Sequence, residues 1–301
     1  MKALIQSLLG NVAATLFKPA GLSVFCFHDV ALRPSAFAER HGLCLHPDLF
    51  RRHLAWIADH FTVVHPDSVA AGATLPPRAA LITFDDGWKG SFTNALPILT
   101  QLGMPSLHFL NGGLWHGETL VSALAEMLDS EPGAHLTLTP DAAGQAGDVA
   151  ALQSYAGDFV DAEDLARWDG HALVRYGSHL WNHWNAAAQD DATLIDQYQR
   201  NEQALAGYKS HTRHFAWPNG QPHSCFSPAQ VSVLAGLGAR PLYAAAGGGN
   251  DAPAAVLLDR VALTPWHDRP ARLWFALHRL RLAALAGRPG PLAGAEWTAL
   301  R

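Results

Sequence analysis

Residues 79–88 read Ala-Ala-Leu-Ile-Thr-Phe-Asp-Asp-Gly-Trp, an apolar run that ends in two adjacent carboxylates and a glycine. The apolar run predicts a buried strand, and the carboxyl end of a strand is where α/β folds keep their chemistry. Successive side chains of a strand point to opposite faces, so Asp85 and Asp86 can serve one site only if the chain departs from strand geometry. The alternative interpretation is an Asp-Gly turn that starts the next helix.

The composition is that of a globular enzyme. Of the 301 residues, 49% are apolar and 16% are charged, which argues against disorder. The net charge of -5 gives no reason to expect nucleic acid as a partner. Three scattered cysteines are too few for a disulfide framework or a cysteine zinc site. No segment reaches the roughly 18 to 20 apolar residues that a membrane span needs.

The first 20 residues contain apolar positions at helical spacing. These positions are Leu4, Leu8, Leu9, Ala13 and Leu16. The pattern predicts an amphipathic helix. A signal peptide is disfavoured because Gln6 and Asn11 interrupt the apolar run and Lys18-Pro19-Ala20 is a poor cleavage site. We therefore expect an unprocessed, cytoplasmic chain.

Strand-like and helix-like segments alternate along most of the sequence. The predicted strands are 22–27, 61–64, 79–84, 106–110, 173–177, 215–217, 241–246 and 255–263, and the main predicted helices are 47–60, 91–102, 191–207, 227–237 and 270–287. This alternation predicts βαβ units and a parallel sheet or barrel. Residues 116–170 interrupt it, and we interpret them as an insertion at the rim of the site, with one helix at 118–128.

The second informative stretch is His179-Leu180-Trp181-Asn182-His183. Histidines four residues apart lie on one face of a helical turn, close enough to bind one metal ion. An aspartate from another strand end would complete a facial set, and three protein ligands leave a position open for the water that hydrolysis needs. The alternative is a pair of surface histidines beside Trp181 and Trp184.

Taken together, these motifs resemble those of the polysaccharide deacetylases, the NodB-like carbohydrate esterases of family 4. The resemblance rests on Thr83-Phe84-Asp85-Asp86-Gly87 followed by His179-x-x-x-His183. The stretch 215–220, Phe-Ala-Trp-Pro-Asn-Gly, is similar to the third family motif. The stretch 27–30, Phe-His-Asp-Val, is similar to the opening motif of the subgroup that includes the poly-N-acetylglucosamine deacetylases. The motifs occur in the family's order between about residues 22 and 265.

The resemblance implies an α/β fold, a distorted (β/α)7 barrel with the insertion at about 116–170. We expect an amphipathic helix at 1–20, the catalytic domain at 21–268 and a basic amphipathic helix and tail at 269–301. The resemblance also implies that Asp86, His179 and His183 bind one divalent metal ion and that Asp85 is the general base. Zinc is the default ion for such ligands, and nickel, cobalt or iron fits the same set.

Three positions depart from the family pattern. Leu180 replaces the usual Ser or Thr, and Ala216 stands where many members carry an arginine that orients the base. The family's C-terminal catalytic histidine has no good counterpart, because His267 and His278 lie in the wrong context. His28, at the end of the first strand, is therefore the candidate general acid. The pair 259–260, Asp-Arg, is a candidate for the fourth family motif.

The expected substrate is an N-acetylated glycan. Trp88, Trp217 and Pro218 are candidate walls for sugar rings, although core packing is the commoner fate of tryptophan. The basic C-terminal helix either packs against the barrel or attaches peripherally to an anionic inner membrane face.

The sequence therefore predicts a metal-dependent hydrolase that removes N-acetyl groups from an amino sugar in a polysaccharide or glycan precursor. The alternatives are a deformylase, or another hydrolase of non-peptide C–N bonds that acts on a small or lipid-linked sugar, and a catalytically degenerate protein that only binds glycan.

Overall fold

The computed structural model describes residues 2–19, 21–115, 156–252 and 254–301. Its strands are β1 (Leu22–Phe27), β2 (Asp29–Val30), β3 (Cys44–Leu45), β4 (Thr62–Val63), β5 (Ala79–Phe84), β6 (Ser106–Leu110), β7 (Val174–Ser178), β8 (His211–Ala216), β9 (Leu242–Tyr243), β10 (Leu257–Leu258) and β11 (Arg260–Ala262). Its α-helices are α1 (Lys2–Leu16), α2 (Ala36–His41), α3 (Pro47–His60), α4 (Pro66–Ala70), α5 (Leu96–Gln101), α6 (Gly112–Trp115), α7 (Ala162–Trp168), α8 (Asp191–Leu205), α9 (Pro228–Gly236), α10 (Pro270–Leu285) and α11 (Ala295–Thr298).

The main sheet closes on itself as a barrel of parallel strands. Its spatial order is β10-β9-β8-β7-β6-β5-β1-β11, and β4 pairs with the start of β5. Strands β10 and β11 are separated by Asp259 alone, so one continuous segment, 257–262, pairs with β9 on one side and with β1 on the other. With 257–262 counted as one strand, the barrel thus has seven strands among the described residues. The predicted α/β barrel of seven strands is confirmed.

The two faces of each strand have different surroundings, as a period of two requires. One buried cluster takes side chains from β1, β5, β6, β8, β9 and β10 and fills the barrel interior. The alternate residues Phe25, Phe27, Ile82 and Phe84 belong to another cluster, together with side chains of α3. Residues 81, 83 and 85 share one side of β5, so Asp85 continues the inward-facing row at the carboxyl end of the barrel.

Several predicted elements differ from the observed ones only at their ends. Helix α3 spans 47–60 as predicted, with Pro47 in its first turn and His46 capping it through a side-chain contact to the Asp48 amide. Strand β8 begins at His211 rather than at 215, while the strand predicted at 241–246 is reduced to Leu242–Tyr243. Predicted helix 91–102 begins as a π-helical turn at Ser91–Ala95 before α5.

Part of the predicted insertion lies against the turn that follows β5. The amide of Lys89 donates to the carbonyl of Asp158, and the amide of Val160 donates to the carbonyl of Gly87. Helix α7 follows, and a capping box between Asp161 and Asp164 closes its first turn. The helix predicted at 118–128 lies outside the described residues.

Helices α1 and α10 pack side by side on one flank of the barrel. A Cβ atom added at Gly10 would lie 1.7 Å from the carbonyl oxygen of Ala271, so the two backbones approach closely there. Ala13 is buried, but Leu4, Leu8 and Leu16 point to solvent. The predicted helix is therefore present, while most of its apolar residues lie on the side away from the barrel. In the described part of the chain no helix has the length and apolar character to cross a bilayer.

Candidate active site

The two adjacent aspartates diverge because the chain leaves strand geometry between them. The amide of Asp85 still bonds to the carbonyl of Phe27, which continues the ladder between β5 and β1. Asp86 then has a φ of 69° and Gly87 a φ of 72°, both in the left-handed region. The expected departure from strand geometry is thus observed. It turns the carboxylate of Asp86 to a different set of neighbours from those of Asp85.

The two histidines follow β7, but not on a helical turn. Leu180 has a φ of 65°, and residues 179–185 form an irregular turn. The prediction of a helical His-x-x-x-His face is therefore wrong, because a left-handed residue cannot continue a right-handed helix. The turn still brings the rings of His179 and His183 to a centroid separation of 5.0 Å.

Asp86, His179 and His183 converge on one point. The Nε2 atoms of both histidines lie 3.3 Å from Oδ1 of Asp86, and all three side chains are buried. Nδ1 of His179 lies 2.8 Å from the carbonyl oxygen of Ala216, so this nitrogen donates and Nε2 of a neutral ring is an acceptor. Burial lowers the pKa of His183 to about 4, which keeps that ring neutral at pH 7.

The donor set fits a divalent cation. Oδ1 of Asp86 is buried and has no hydrogen-bond partner, although a buried polar atom normally has one. A carboxylate oxygen and imidazole lone pairs that face one another without a proton between them are ligands that a metal ion satisfies. These three residues are the predicted metal ligands, and the structure brings them together.

Neighbouring groups hold two of these ligands in place. The carbonyl of Ala216 fixes the ring of His179, and the indole Nε1 of Trp88 donates to Oδ2 of Asp86 at 3.0 Å. Such outer partners orient metal ligands and tune their basicity. Trp88 is only 1% exposed and lies between Phe37 and Phe159. The expectation that Trp88 presents an open ring face to a sugar is therefore corrected, although the residue borders the cleft described below.

Asp85 forms an ion pair with a buried arginine, Arg260. The sequence motifs did not indicate this pairing. Nη1 of Arg260 donates to Oδ1 of Asp85 at 2.6 Å, and Nη2 donates to Oδ2 at 2.8 Å. Burial alone would raise the pKa of Asp85, but the charge and hydrogen bonds of Arg260 hold this pKa below its ordinary value. Arg260 thus makes a contact with Asp85 of the kind expected of the arginine that is absent at Ala216.

The position of Arg260 depends on the residue before it. The carboxylate of Asp259 accepts hydrogen bonds from the amides of Ala246, Gly247 and Gly248, and from that of Arg260 itself. Nε of Arg260 also donates to the carbonyl of Ala244 at 3.1 Å. The Asp-Arg pair at a strand start was the available signal in the sequence. Pairing with Asp85 was not deducible from it, because the two residues are 175 positions apart.

His28 and Cys26 lie on the same side of the site as Asp85. One ligand atom from each of Cys26, His28 and Asp85 lies within 4.8 Å of the others, and Sγ of Cys26 is 3.4 Å from Oδ2 of Asp85. His28 is half-buried. The two histidines set aside in the sequence make other contacts: His267 bonds to the amide of Thr264, and His278 packs against Phe17 and Trp274.

The other predicted substrate walls are also enclosed. Trp217 is fully buried, stacked on Phe226 with ring centroids 4.6 Å apart and packed edge-on against Phe215. Pro218 is buried as well. The prediction that Trp217 and Pro218 face a sugar is therefore corrected. The end of β8 instead contributes the carbonyl of Ala216 that holds His179.

A polar cleft of about 550 Å³ lies on the other side of Trp88. Charged and polar side chains line much of it, including Asp29, Arg33, Ser35, Lys89 and Asp158. Trp88 contributes to this cleft while its indole N–H contacts Asp86. The side chain of Trp88 thus lies between the cleft and Asp86, one of the predicted metal ligands.

Comparison with known proteins gives relatives of one kind. A stretch of 169 residues is 23% identical to the poly-beta-1,6-N-acetyl-D-glucosamine N-deacetylase of Escherichia coli (strain K12), and it covers 54% of this chain and 21% of that protein. The fold is similar to that of Streptococcus pyogenes deacetylase PplD in complex with acetate, with a TM-score of 0.58, 15% identity, and coverage of 86% of this chain and 99% of that one. IcaB from Ammonifex degensii matches with a TM-score of 0.58, 19% identity, and coverage of 86% and 98%.

The family model described as polysaccharide deacetylase matches residues 72–241, more than half of the chain. This range contains Asp85, Asp86, His179 and His183. It ends before Arg260, whose contact with Asp85 the structure shows. From the match, the co-ordered motifs and the shared fold, we conclude that this chain belongs to the polysaccharide deacetylase family.

Proposed function

We propose that this protein is a metal-dependent hydrolase that removes N-acetyl groups from amino sugars of a glycan. One observation carries the proposal: two adjacent carboxylates at the barrel mouth have complementary surroundings. Asp86 faces two imidazoles and has an orphaned oxygen, whereas Asp85 is held as an anion by Arg260. Hydrolysis of an amide needs both a cation site and a separate proton acceptor.

In this proposal Asp86, His179 and His183 hold one divalent ion. Zinc is the first choice for one carboxylate and two imidazoles, and nickel, cobalt or iron fits the same donors. When bound, such an ion acts as a Lewis acid that polarises the amide carbonyl and makes water more acidic. The carbonyl of Ala216 and the indole of Trp88 keep the ligands in the orientation that binding requires.

Asp85 is the proposed general base. The charge of a carboxylate that binds a metal is used in that bond. A second carboxylate must therefore accept the proton of the attacking water. Arg260 keeps Asp85 ionised and fixes both of its oxygens, which pre-organises the base. The thiol of Cys26 lies against the same oxygen as Nη2 of Arg260.

His28 is the proposed general acid. The leaving group of amide hydrolysis is an amine, which departs only after its nitrogen receives a proton. A ring nitrogen of His28 lies within 4.8 Å of a carboxylate oxygen of Asp85, and the side chain is half-buried at the same mouth. Protonated His28 can therefore supply a proton beside the base.

The polar cleft next to Trp88 supports a substrate longer than one sugar. Its carboxylate, hydroxyl and cationic groups match the hydroxyl groups of a neighbouring sugar ring. The relative from Escherichia coli is named as a deacetylase of poly-β-1,6-N-acetyl-D-glucosamine, and this chain covers about a fifth of its length. N-acetylglucosamine oligomers are therefore the first substrates to test.

The decisive experiment combines metal analysis with assay of acetate release from N-acetylglucosamine oligomers of increasing length. We expect the wild type to bind about one equivalent of divalent ion and to release acetate. Asp85→Asn should retain the ion and lose about 10²- to 10⁴-fold in rate, the range that general-base catalysis contributes.

Three results would contradict this function. Equal acetate release by the wild type and Asp85→Asn would show that Asp85 is not the general base. If neither the wild type nor His179→Ala binds a divalent ion under the same conditions, these residues do not form a metal site. Release of formate from an N-formyl sugar, with no acetate from N-acetyl sugars, would move the activity to the deformylase alternative.

A further inference from the structure

Helix α1 turns its large apolar side chains toward solvent. The exposed members of this row are Leu4, Ile5, Leu8, Leu9, Val12 and Leu16, with exposed fractions from 37% to 76%. They occur at helical spacing along one side of the helix. A surface helix of a globular domain normally buries such a row, so the orientation of α1 is inverted.

The side of α1 that faces α10 is small or polar instead. Gly10 and Ala13 make the close approach to α10, where a Cβ atom at Gly10 would overlap the carbonyl of Ala271. Gln6 accepts a hydrogen bond from the indole of Trp266 at 3.0 Å, and Phe17 contacts the ring of His278. These specific contacts fix the face, so rotating α1 to bury its leucines would break them.

The exposed apolar area is concentrated on this flank. Ten large apolar side chains are exposed in the described ranges, and eight of them lie in α1, in α10 or in the loop before α10. Besides the six on α1 they are Trp266, at 47%, and Leu285, at 73%. Only Leu32 and Leu102 lie elsewhere. A contiguous exposed patch of this kind marks an interaction surface.

The same flank carries a net positive charge, although the whole chain has a net charge of -5. Residues 2–19 and 265–290 contain seven lysines and arginines and one acidic residue, Asp268, which pairs with Arg272, while Arg281 pairs with Asp251. Lys18, Arg269 and Arg288 are exposed. Aliphatic side chains bordered by basic residues and an exposed tryptophan are the composition of helices that lie in a membrane interface.

We propose that helices α1 and α10 attach this protein to the surface of an anionic lipid bilayer. The leucine row of α1 enters the boundary between headgroups and acyl chains, while Trp266 sits at headgroup level. Lys18, Arg269 and Arg288 face the anionic headgroups. The charge pattern favours this occupant over a second copy of the chain, because two such flanks would bring like charges together.

The test is co-sedimentation of the full chain with vesicles of phosphatidylcholine alone or with about one third phosphatidylglycerol. We expect binding to the anionic vesicles that weakens with added salt. The double variant Leu4→Gln/Leu8→Gln should bind at least about tenfold more weakly, because each buried leucine contributes substantially to transfer from water. Lys18→Gln/Arg288→Gln should lose about fivefold per residue on anionic vesicles only.

The matched control is Leu32→Gln/Leu102→Gln, which removes two equally exposed leucines from other parts of the surface. It should bind like the wild type, and acetate release in solution should be unchanged in the α1 variant. Equal loss of binding in this control, or no vesicle binding by the wild type, would overturn the proposal. So would a wild-type dimer that becomes monomeric in Leu4→Gln/Leu8→Gln, since the flank would then be a protein interface.

Discussion

Asp85 and Asp86 are neighbours in the chain and opposites in their surroundings. Asp85 receives two charge-assisted hydrogen bonds from Arg260, so both of its oxygens have partners. Asp86 receives one from Trp88 and presents its other oxygen to two imidazoles without any donor. The charge of Asp85 is balanced by the side chain of Arg260. The oxygen of Asp86 that lacks a hydrogen-bond partner is instead placed to bind a metal ion.

The difference shows that the partner elements, and not the acids themselves, separate the two roles. Asp85 stays in the inward row of β5, where β11 carries Arg260 toward it. Asp86 leaves the strand through a left-handed residue and meets the turn after β7. In the proposed function the same residue type therefore acts as a base in one position and as a metal ligand in the next. The variants below separate the two halves of the site.

The largest expected effect is on metal binding in Asp86→Ala. Loss of an outer partner of a ligand typically costs 10- to 100-fold in metal affinity, so loss of the ligand itself should cost more than about 100-fold. Isothermal titration with zinc measures this change, and acetate release should fall to background. A variant that binds zinc as tightly as the wild type would place the metal away from Asp86.

The converse effect is expected in Arg260→Met. Removing one partner of a buried ion pair leaves an uncompensated charge, so unfolding free energy should fall by about 3–5 kcal/mol. Acetate release should fall about 100-fold, toward the lower end of what a general base contributes. Zinc content should not change, because Arg260 contacts neither the histidines nor Asp86.

Arg260→Lys is the control for charge. It retains a cation but not the two-pronged hydrogen bonding, so it should recover part of the stability and little of the rate. Chemical denaturation and the acetate assay together distinguish these contributions. Loss of zinc from either Arg260 variant would mean that the two halves of the site are not independent.

A smaller effect is expected in Trp88→Phe, which removes the N–H that holds Oδ2 of Asp86. Zinc affinity should fall by about 10- to 100-fold, the usual cost of losing such a partner. Phenylalanine keeps an aromatic ring between Phe37 and Phe159, so the fold should be retained. Competition with a chelator gives the affinity. If excess zinc restores the full rate, Trp88 acts through the metal half alone.

The smallest effect is expected in Cys26→Ala. Its thiol is a weak donor, and Asp85 keeps both bonds from Arg260 without it. The rate should therefore fall less than about fivefold, the equivalent of one ordinary hydrogen bond. A loss as large as that of Asp85→Asn would show that Cys26 takes part in the proton transfer.

Much of this site could be predicted because its residues occur in short, ordered motifs. Asp85, Asp86, His179 and His183 each follow a strand, and parallel strands bring their carboxyl ends to one mouth. Arg260 could not be assigned in the same way. Its contact with Asp85 depends on barrel closure, which is a tertiary event without a local pattern.

The two helices with the clearest apolar rows illustrate a second limit. In α3 the row Leu49, Phe50, Leu54 and Ile57 is buried against the barrel. In α1 a similar row points outward, because Gly10 and Ala13 give the opposite face a closer fit to α10. Periodicity predicts that a helix has two faces, but backbone approach decides which face is covered. Trp88 and Trp217 present no open ring face for a related reason, since sequence proximity to a motif does not give exposure.

The segment 257–262 has a consequence for how the barrel is assembled. It is the last barrel strand in the chain. It pairs with β9 on one side and with β1, the first barrel strand, on the other. The predicted metal ligands follow β5 and β7, and both strands precede this closing strand in the chain. Contacts between distant parts of a chain carry the largest loop-closure cost and form slowly. Arg260 reaches Asp85 only in this closing step. The barrel and the Asp85–Arg260 ion pair are therefore completed together, and under the proposed function recovery of acetate release during refolding should follow barrel closure.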